Sequence, residues 1–204
     1  MLFTLAAILV TANISQLRMT LPLYFGDILS SRDSAQIFSS TIANLFTYYT
    51  FLIIISQLPL SHFLNRWNRL SALMFSLLLY LGGFIIFWLA GLTPSFSLAA
   101  TIIGLALLAF AVAAYGPLSL AFITDIAPES LRGIYLSINS LSWTIGFAIG
   151  PSLGGWFLEH PQINGFFNFW LLAATSIVCA FLILLYLNHK FYESQETVLT
   201  SSPS

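Results

Sequence analysis

Charge is what this sequence has least of. Its 204 residues hold six Lys/Arg and seven Asp/Glu, 6% of the chain, where a soluble domain carries roughly 25%. A chain this poor in charge cannot present a wettable surface, so its solvent is lipid. The net charge of −1 gives no electrostatic case for nucleic acid or an acidic partner. Cys179 is alone, which excludes a disulfide or thiolate metal site within one chain, and no metal site or cofactor is expected. No Asp or Glu falls inside an apolar run, so the chain lacks an intramembrane carboxylate to carry a coupled proton. MLFTLAAILV has no basic flank and no small-residue cleavage site, so a removable signal peptide is not expected. Met1 leads directly into a span, as if the chain began where a longer protein would be midway.

What is present is hydrophobicity: 58% of residues, in six segments near 2–26, 37–61, 70–92, 97–123, 134–158 and 165–187. Each is long enough to cross about 30 Å of hydrocarbon at 1.5 Å per residue. The expected fold is an all-α membrane protein, a six-transmembrane-helix bundle over residues 1–187. A polar, disordered tail follows over 188–204. Charges gather between the segments: Asp27, Arg32 and Asp33; His62, Arg66 and Arg69; none around Thr93 to Ser95; Asp125, Glu129 and Arg132; Glu159 and His160; then Lys190, Glu193 and Glu196 in the tail. The second loop, fourth loop and tail carry four Lys/Arg, against Arg32 on the opposite side. The positive-inside rule then puts both termini, and the tail, in the cytoplasm, with the bundle in the cytoplasmic (plasma or inner) membrane.

The segments differ in polarity. The third and sixth hold few strong hydrogen-bonding groups and are expected to face lipid. The others carry stripes that need helices or a watery cavity opposite them: Thr41, Asn44 and Tyr48; Thr101, Gly104 and Tyr115; Tyr135, Asn139, Ser142 and Gly146. The order wet, wet, dry, wet, wet, dry points to a 3+3 helix repeat, and Pro22 and Pro117 sit at similar depths of its two units.

Four constellations stand out. Gly146, Gly150 and Gly154 recur every fourth residue, drifting by only about 40° per step around a helix. They form a strip along which another helix can pack closely. Pro151 and Gly155 beside them add a second function, bending. Arg18 is the single charge well inside a span, near Asn13 and Gln16. It reads either as a contact for an anionic substrate or pore lining, or as a side chain snorkelling to the outer interface. Gly150-Pro151-Ser152-Leu153-Gly154 fits the G-x-S-x-G nucleophile pattern, but that motif needs a strand-to-helix turn and a His base. His62, His160 and His189 all stand at span ends or in loops, so helix packing is the preferred reading over an intramembrane serine hydrolase. Asp125, with Arg66, Arg69 and Arg132, forms either a network remade as helices rock or a set of solvated turn charges.

Three places resemble the major facilitator superfamily, closest to its multidrug-efflux-like permeases, in a match covering residues 1–187. Gly146-x-x-x-Gly150-Pro151-x-x-Gly154-Gly155, joined to Asp125…Pro128…Arg132-Gly133, is similar to the glycine-proline motif of the family's antiporters. Ser61-His62-Phe63-Leu64-Asn65-Arg66-Trp67-Asn68-Arg69 is similar to the family's cytoplasmic signature, with Ser61, Asn65 and Asn68 replacing its Gly, Asp and Gly. Gln57-Leu58-Pro59-Leu60 looks like the end of an eighth helix. The decayed signature, the lack of an Arg partway along segment four and the polar tail indicate helices seven to twelve, the carboxy-terminal half.

The resemblance implies alternating access: two six-helix halves rocking about a central site lined by the first, second, fourth and fifth helices of each. The expected function is transport of small organic molecules, of the efflux type, without enzymatic activity. The expected cavity wall is Asn13, Gln16, Arg18, Asn44, Tyr48, Tyr115 and Asn139. Gly146, Gly150, Pro151, Gly154 and Gly155 serve packing and gating. Asn65, Arg66, Arg69, Asp125 and Arg132 form a cytoplasmic latch. The expected partners are the bilayer, a small-molecule substrate, and a second six-helix half or a second copy. The alternatives are a non-transporting fragment or split-gene half that needs a partner half and, remotely, the hydrolase.

Overall fold

A computed structural model of the chain describes residues 1–30, 35–92, 97–159 and 166–201. Arg32, Asp33, Thr93, Ser95 and His160 lie outside the described residues, as do the side chains of Asp27, Glu193 and Glu196. Among the described residues the regular structure is helical: α1 (Leu2–Ser30), α2 (Ala35–Leu64), α3 (Arg69–Leu92), α4 (Ser97–Ile126), α5 (Arg132–Glu159) and α6 (Phe166–Ser201), with a short 3₁₀ turn at Glu129–Leu131. Five of these helices, α1 to α4 and α6, are long and apolar enough to cross a membrane. α5 has 28 residues, but its serines, Asn139, Thr144 and glycines keep it less apolar than the rest. The protein is an integral, multi-pass membrane protein.

Chain punctuation explains the boundaries. The Asn68 side-chain oxygen accepts from the Leu70 N–H at 3.4 Å, a cap that starts α3. Pro128, with φ −55° and ψ 145°, disfavours helix in the residue before it; α4 ends at Ile126 and α5 begins at Arg132. Pro22, Pro59, Pro117 and Pro151 lie inside helices, which membrane helices tolerate because neighbours supply the missing partners. α6 continues to Ser201, past the Leu187 expected to end its span, so residues 188–201 extend the helix where the sequence predicts a polar tail.

Neighbour relations are simple. α1 packs chiefly on α5 and α6, α4 chiefly on α3 and α2, and α3 joins α6; contacts of α1 with α2 and of α4 with α5 are slight. The densest core lies where α3, α4 and α6 meet. There Phe84 stacks on Trp170 at 5.8 Å, and Tyr80 meets Tyr115 edge-on at 6.5 Å. Burial therefore does not follow polarity. Half of the apolar stretch of α3 is buried, against 17% of that of α2, because α3 sits between two helices whereas α2 leans mainly on one.

Candidate functional site

The α1–α5 seam is built from small and polar residues on both sides. A Cβ added to Gly146 would strike Thr11 Oγ1 and come within 2.7 Å of the Ala12 backbone nitrogen. At Gly150 it would strike Ser15 Oγ and lie 2.5 Å from the Ala12 carbonyl oxygen; at Gly154 it would strike Thr20 Oγ1. Hydrogen is therefore the largest substituent the seam admits at these positions. The closeness exposes α5 carbonyls to α1 donors. Gln16 Nε2 donates to the Gly150 carbonyl at 2.6 Å, whereas the Thr11 and Ser15 hydroxyls donate first to Ala7 and Ala12 of their own helix, at 2.8 and 2.7 Å, and lie 3.2 and 3.5 Å from the Ser142 and Gly146 carbonyls. Thr20 Oγ1 donates to Gln16 Oε1 at 2.6 Å, fixing that amide. Such bonds contribute on average about 0.6 kcal/mol each within a membrane, so close packing supplies most of the association. Pro151 is half-buried beside the strip. Gly155 is different: a Cβ there meets nothing within 4 Å, since one further residue turns it about 100° away from the strip.

The expected cavity residues do not gather on one wall. Asn13 is buried, its Nδ2 donating to the Leu9 carbonyl at 2.8 Å and to Ser176 Oγ of α6 at 2.7 Å. With Gln16 it lines a crevice of about 270 Å³ between α1, α5 and α6. Arg18, five residues on, is turned about 140° from Asn13. It is exposed, and its guanidinium lies over the Phe147 ring of α5, 5.9 Å from the centroid. Its charge also reaches Tyr49 of α2. Asn44 is exposed on α2 and Tyr48 is half-buried. Tyr115 is buried against Tyr80 in the α3–α4 packing. In the same stripe, a Cβ on Gly104 would lie 2.9 Å from Phe87 of α3. Asn139 is half-buried, and its Oδ1 has no hydrogen-bond partner. With Tyr135 and Ser142 it lines a pocket of about 250 Å³ between α1, α4 and α5.

At one end of the bundle, Arg69 Nε donates to Asp125 Oδ2 at 3.0 Å and Arg69 Nη1 to Asn65 Oδ1 at 2.8 Å. One guanidinium thus ties the end of α2, the start of α3 and the end of α4. The pair's side chains are 33% and 55% exposed, so the bond is screened and worth under about 1 kcal/mol. Arg66 and Arg132 are exposed at the same end. Ser152 lies within α5, exposed, its Oγ donating back to the Ala148 carbonyl at 3.1 Å; it occupies no strand-to-helix turn.

Sequence reasoning missed Thr11, Ser15 and Thr20, although TANISQLRMT repeats small polar groups at about the period of the glycine strip. It also missed Phe147 and Tyr49 as neighbours of Arg18. Neither carries a local signal, since both come from other helices.

The model of the Major Facilitator Superfamily matches residues 3–201. The chain is 27% identical over 151 residues to YfkF of Bacillus subtilis (strain 168), described as an uncharacterized MFS-type transporter. That match takes in 73% of this chain and 36% of the relative, so it spans little more than a third of the relative's length. No solved structure matches.

Proposed function

The chain belongs to the Major Facilitator Superfamily, and we propose that it acts as one six-helix half of a permease that moves small organic molecules across the cytoplasmic membrane, as an efflux-type carrier. In this reading α5 is the sixth membrane span, and the partly exposed α2 and α5 meet a second six-helix unit. The observation that carries it is the packing plan. Exchanging α1 with α4, α2 with α5 and α3 with α6 maps the main helix contacts onto one another: α1 on α5 becomes α4 on α2, and α1 on α6 becomes α4 on α3. A bundle built of two three-helix units behaves in this way, and rocking of such units around a site is how repeat-built carriers alternate access. The α1–α5 seam would let α5 move as one body with α1, and the Arg69–Asp125 pair would open and close at the cytoplasmic end. The decayed signature around Asn65 to Arg69 supports the carboxy-terminal assignment, and the Lys/Arg distribution supports cytoplasmic termini.

Hydrolysis by Ser152 has little to support it, because the hydroxyl is spent on its own helix. The test is movement of dye in proteoliposomes that hold the chain together with a second six-helix half, with ethidium and fluorescein as cationic and anionic probes. Release above that of protein-free vesicles is expected, abolished by Gly150→Leu and retained by Ser152→Ala. Release that survives Gly150→Leu and vanishes in Ser152→Ala would overturn this reading of the motif.

A further inference from the structure

We infer that the face around Arg18 binds the anionic group of an organic solute: a carboxylate, phosphate or sulfonate carried on an aromatic or apolar body. The inference deepens the transport reading and rests on it for the solute's passage, though not for its binding.

Among the described residues Arg18 makes no ion pair; the one found there joins Arg69 to Asp125. All seven Asp/Glu are Asp27, Asp33, Asp125, Glu129, Glu159, Glu193 and Glu196. Of those the structure describes, Asp125 closes the α4 span and is paired with Arg69, while Glu129 and Glu159 stand at or beyond the ends of α5. The apolar span of α1 runs from Leu2 to Pro22, with Arg18 toward its end. An arginine within such a span is costly to hold there unless its head reaches the interface or finds a partner. What the protein supplies is the face of Phe147 at 5.9 Å, near the limit of about 6 Å for a cation–π contact. That contact offsets part of the charge and leaves the planar donor fork of the guanidinium open. Five N–H groups in such a fork match two oxygens of a carboxylate, sulfonate or phosphate.

The surroundings favour an aromatic or apolar body on the anion. Phe147 is stacked against Trp143 at 6.0 Å between centroids, continuing the aromatic surface along α5. Met19, next to Arg18, is 60% exposed. Tyr49 of α2 lies within reach of the arginine's charge. Arg18 therefore stands exposed between α1 and α5, its guanidinium over the Phe147 ring.

The experiment measures binding and needs no transport. The chain with its second half is placed in phosphatidylcholine nanodiscs and titrated with benzoate, phenyl phosphate and 1-naphthalenesulfonate, with benzylamine as the cationic counterpart. Intrinsic tryptophan fluorescence follows the titration, with Trp143→Phe identifying the reporter. At least one of the anions is expected to bind and benzylamine not to. Arg18→Gln should weaken that anion by tenfold or more, the loss expected for a hydrogen bond to a charged group, while Arg18→Lys, which keeps the charge and loses the fork, falls between the two. Circular dichroism and gel filtration establish that both variants are folded. No binding by any of the three anions, or equal binding to folded Arg18→Gln, would overturn the inference. Repeating the titration with phosphatidylglycerol present separates two sources of the anion. Competition assigns the site to a lipid headgroup, and unchanged affinity assigns it to free solutes; either agrees with an anion site. Anion binding without dye movement would sink the transport reading and leave the site standing. Dye movement without anion binding would do the reverse.

Discussion

At Gly150 the difference between a hydrogen and a methyl group decides how near α5 can lie to α1. A Cβ there meets the Ala12 backbone oxygen at 2.5 Å, and backbone cannot swing aside as a side chain can. Overpacking of this kind typically costs 1–3 kcal/mol, with loss of the Gln16 bond to the Gly150 carbonyl in addition. Gly155 has open space where a Cβ would stand, and alanine is the better helix former by roughly 1 kcal/mol. Thermal unfolding in detergent should therefore separate the two: Gly150→Ala lowers the transition, and Gly155→Ala leaves it unchanged or raises it. Equal losses at both would mean that glycine serves the flexibility of α5 and not its approach to α1. The spacing of Gly146, Gly150 and Gly154 was enough to identify the strip, because spacing is a property of one helix. The separation of Gly155 from it was not visible until the direction of the partner was known. Asn13, Gln16 and Arg18 show the same limit. They are close in sequence, but whether they share a wall depends on which helices flank α1.

Among the elements, polarity alone misled where neighbours mattered. Tyr115 and Gly104 look like part of a wet stripe, yet α4 turns that stripe to α3, where Tyr80 and Phe87 cover it. A tyrosine is mostly ring, and the packed α3–α4 interface accepts it as such. Segment boundaries were legible to within a few residues, since Asn68 and Pro128 punctuate the chain locally; the continuation of α6 to Ser201 was not. The Arg69–Asp125–Asn65 connection joins three elements but is half exposed to solvent. Its expected effect on stability is correspondingly small: Arg69→Gln and Asp125→Asn should each change the unfolding free energy by less than about 1 kcal/mol. Its expected effect on transport is large. The swap Arg69→Asp with Asp125→Arg should recover dye release that either single reversal loses. A stability loss above about 2 kcal/mol would identify the pair as a structural clamp and not a latch.

For the whole molecule, the class was written in what is missing. With so few charges the chain has only a lipid environment open to it, and the apolar runs set the number of long helices. The arrangement of those helices was not legible in the order of wet and dry segments, since the dry α3 is half buried and the wet α2 largely exposed. The division into three and three belongs to the proposal. Exposure of α2 was not expected, and it underlies the proposal that this bundle works against a second one. The measurement that tests it most directly is native mass spectrometry of the chain in nanodiscs, paired with dye release from the same preparation. Dye is expected to move only from particles holding two bundles, either two copies of this chain or one copy with a separate six-helix half. A single copy of the 204-residue chain that forms a stable monomer and moves dye unaided would contradict it.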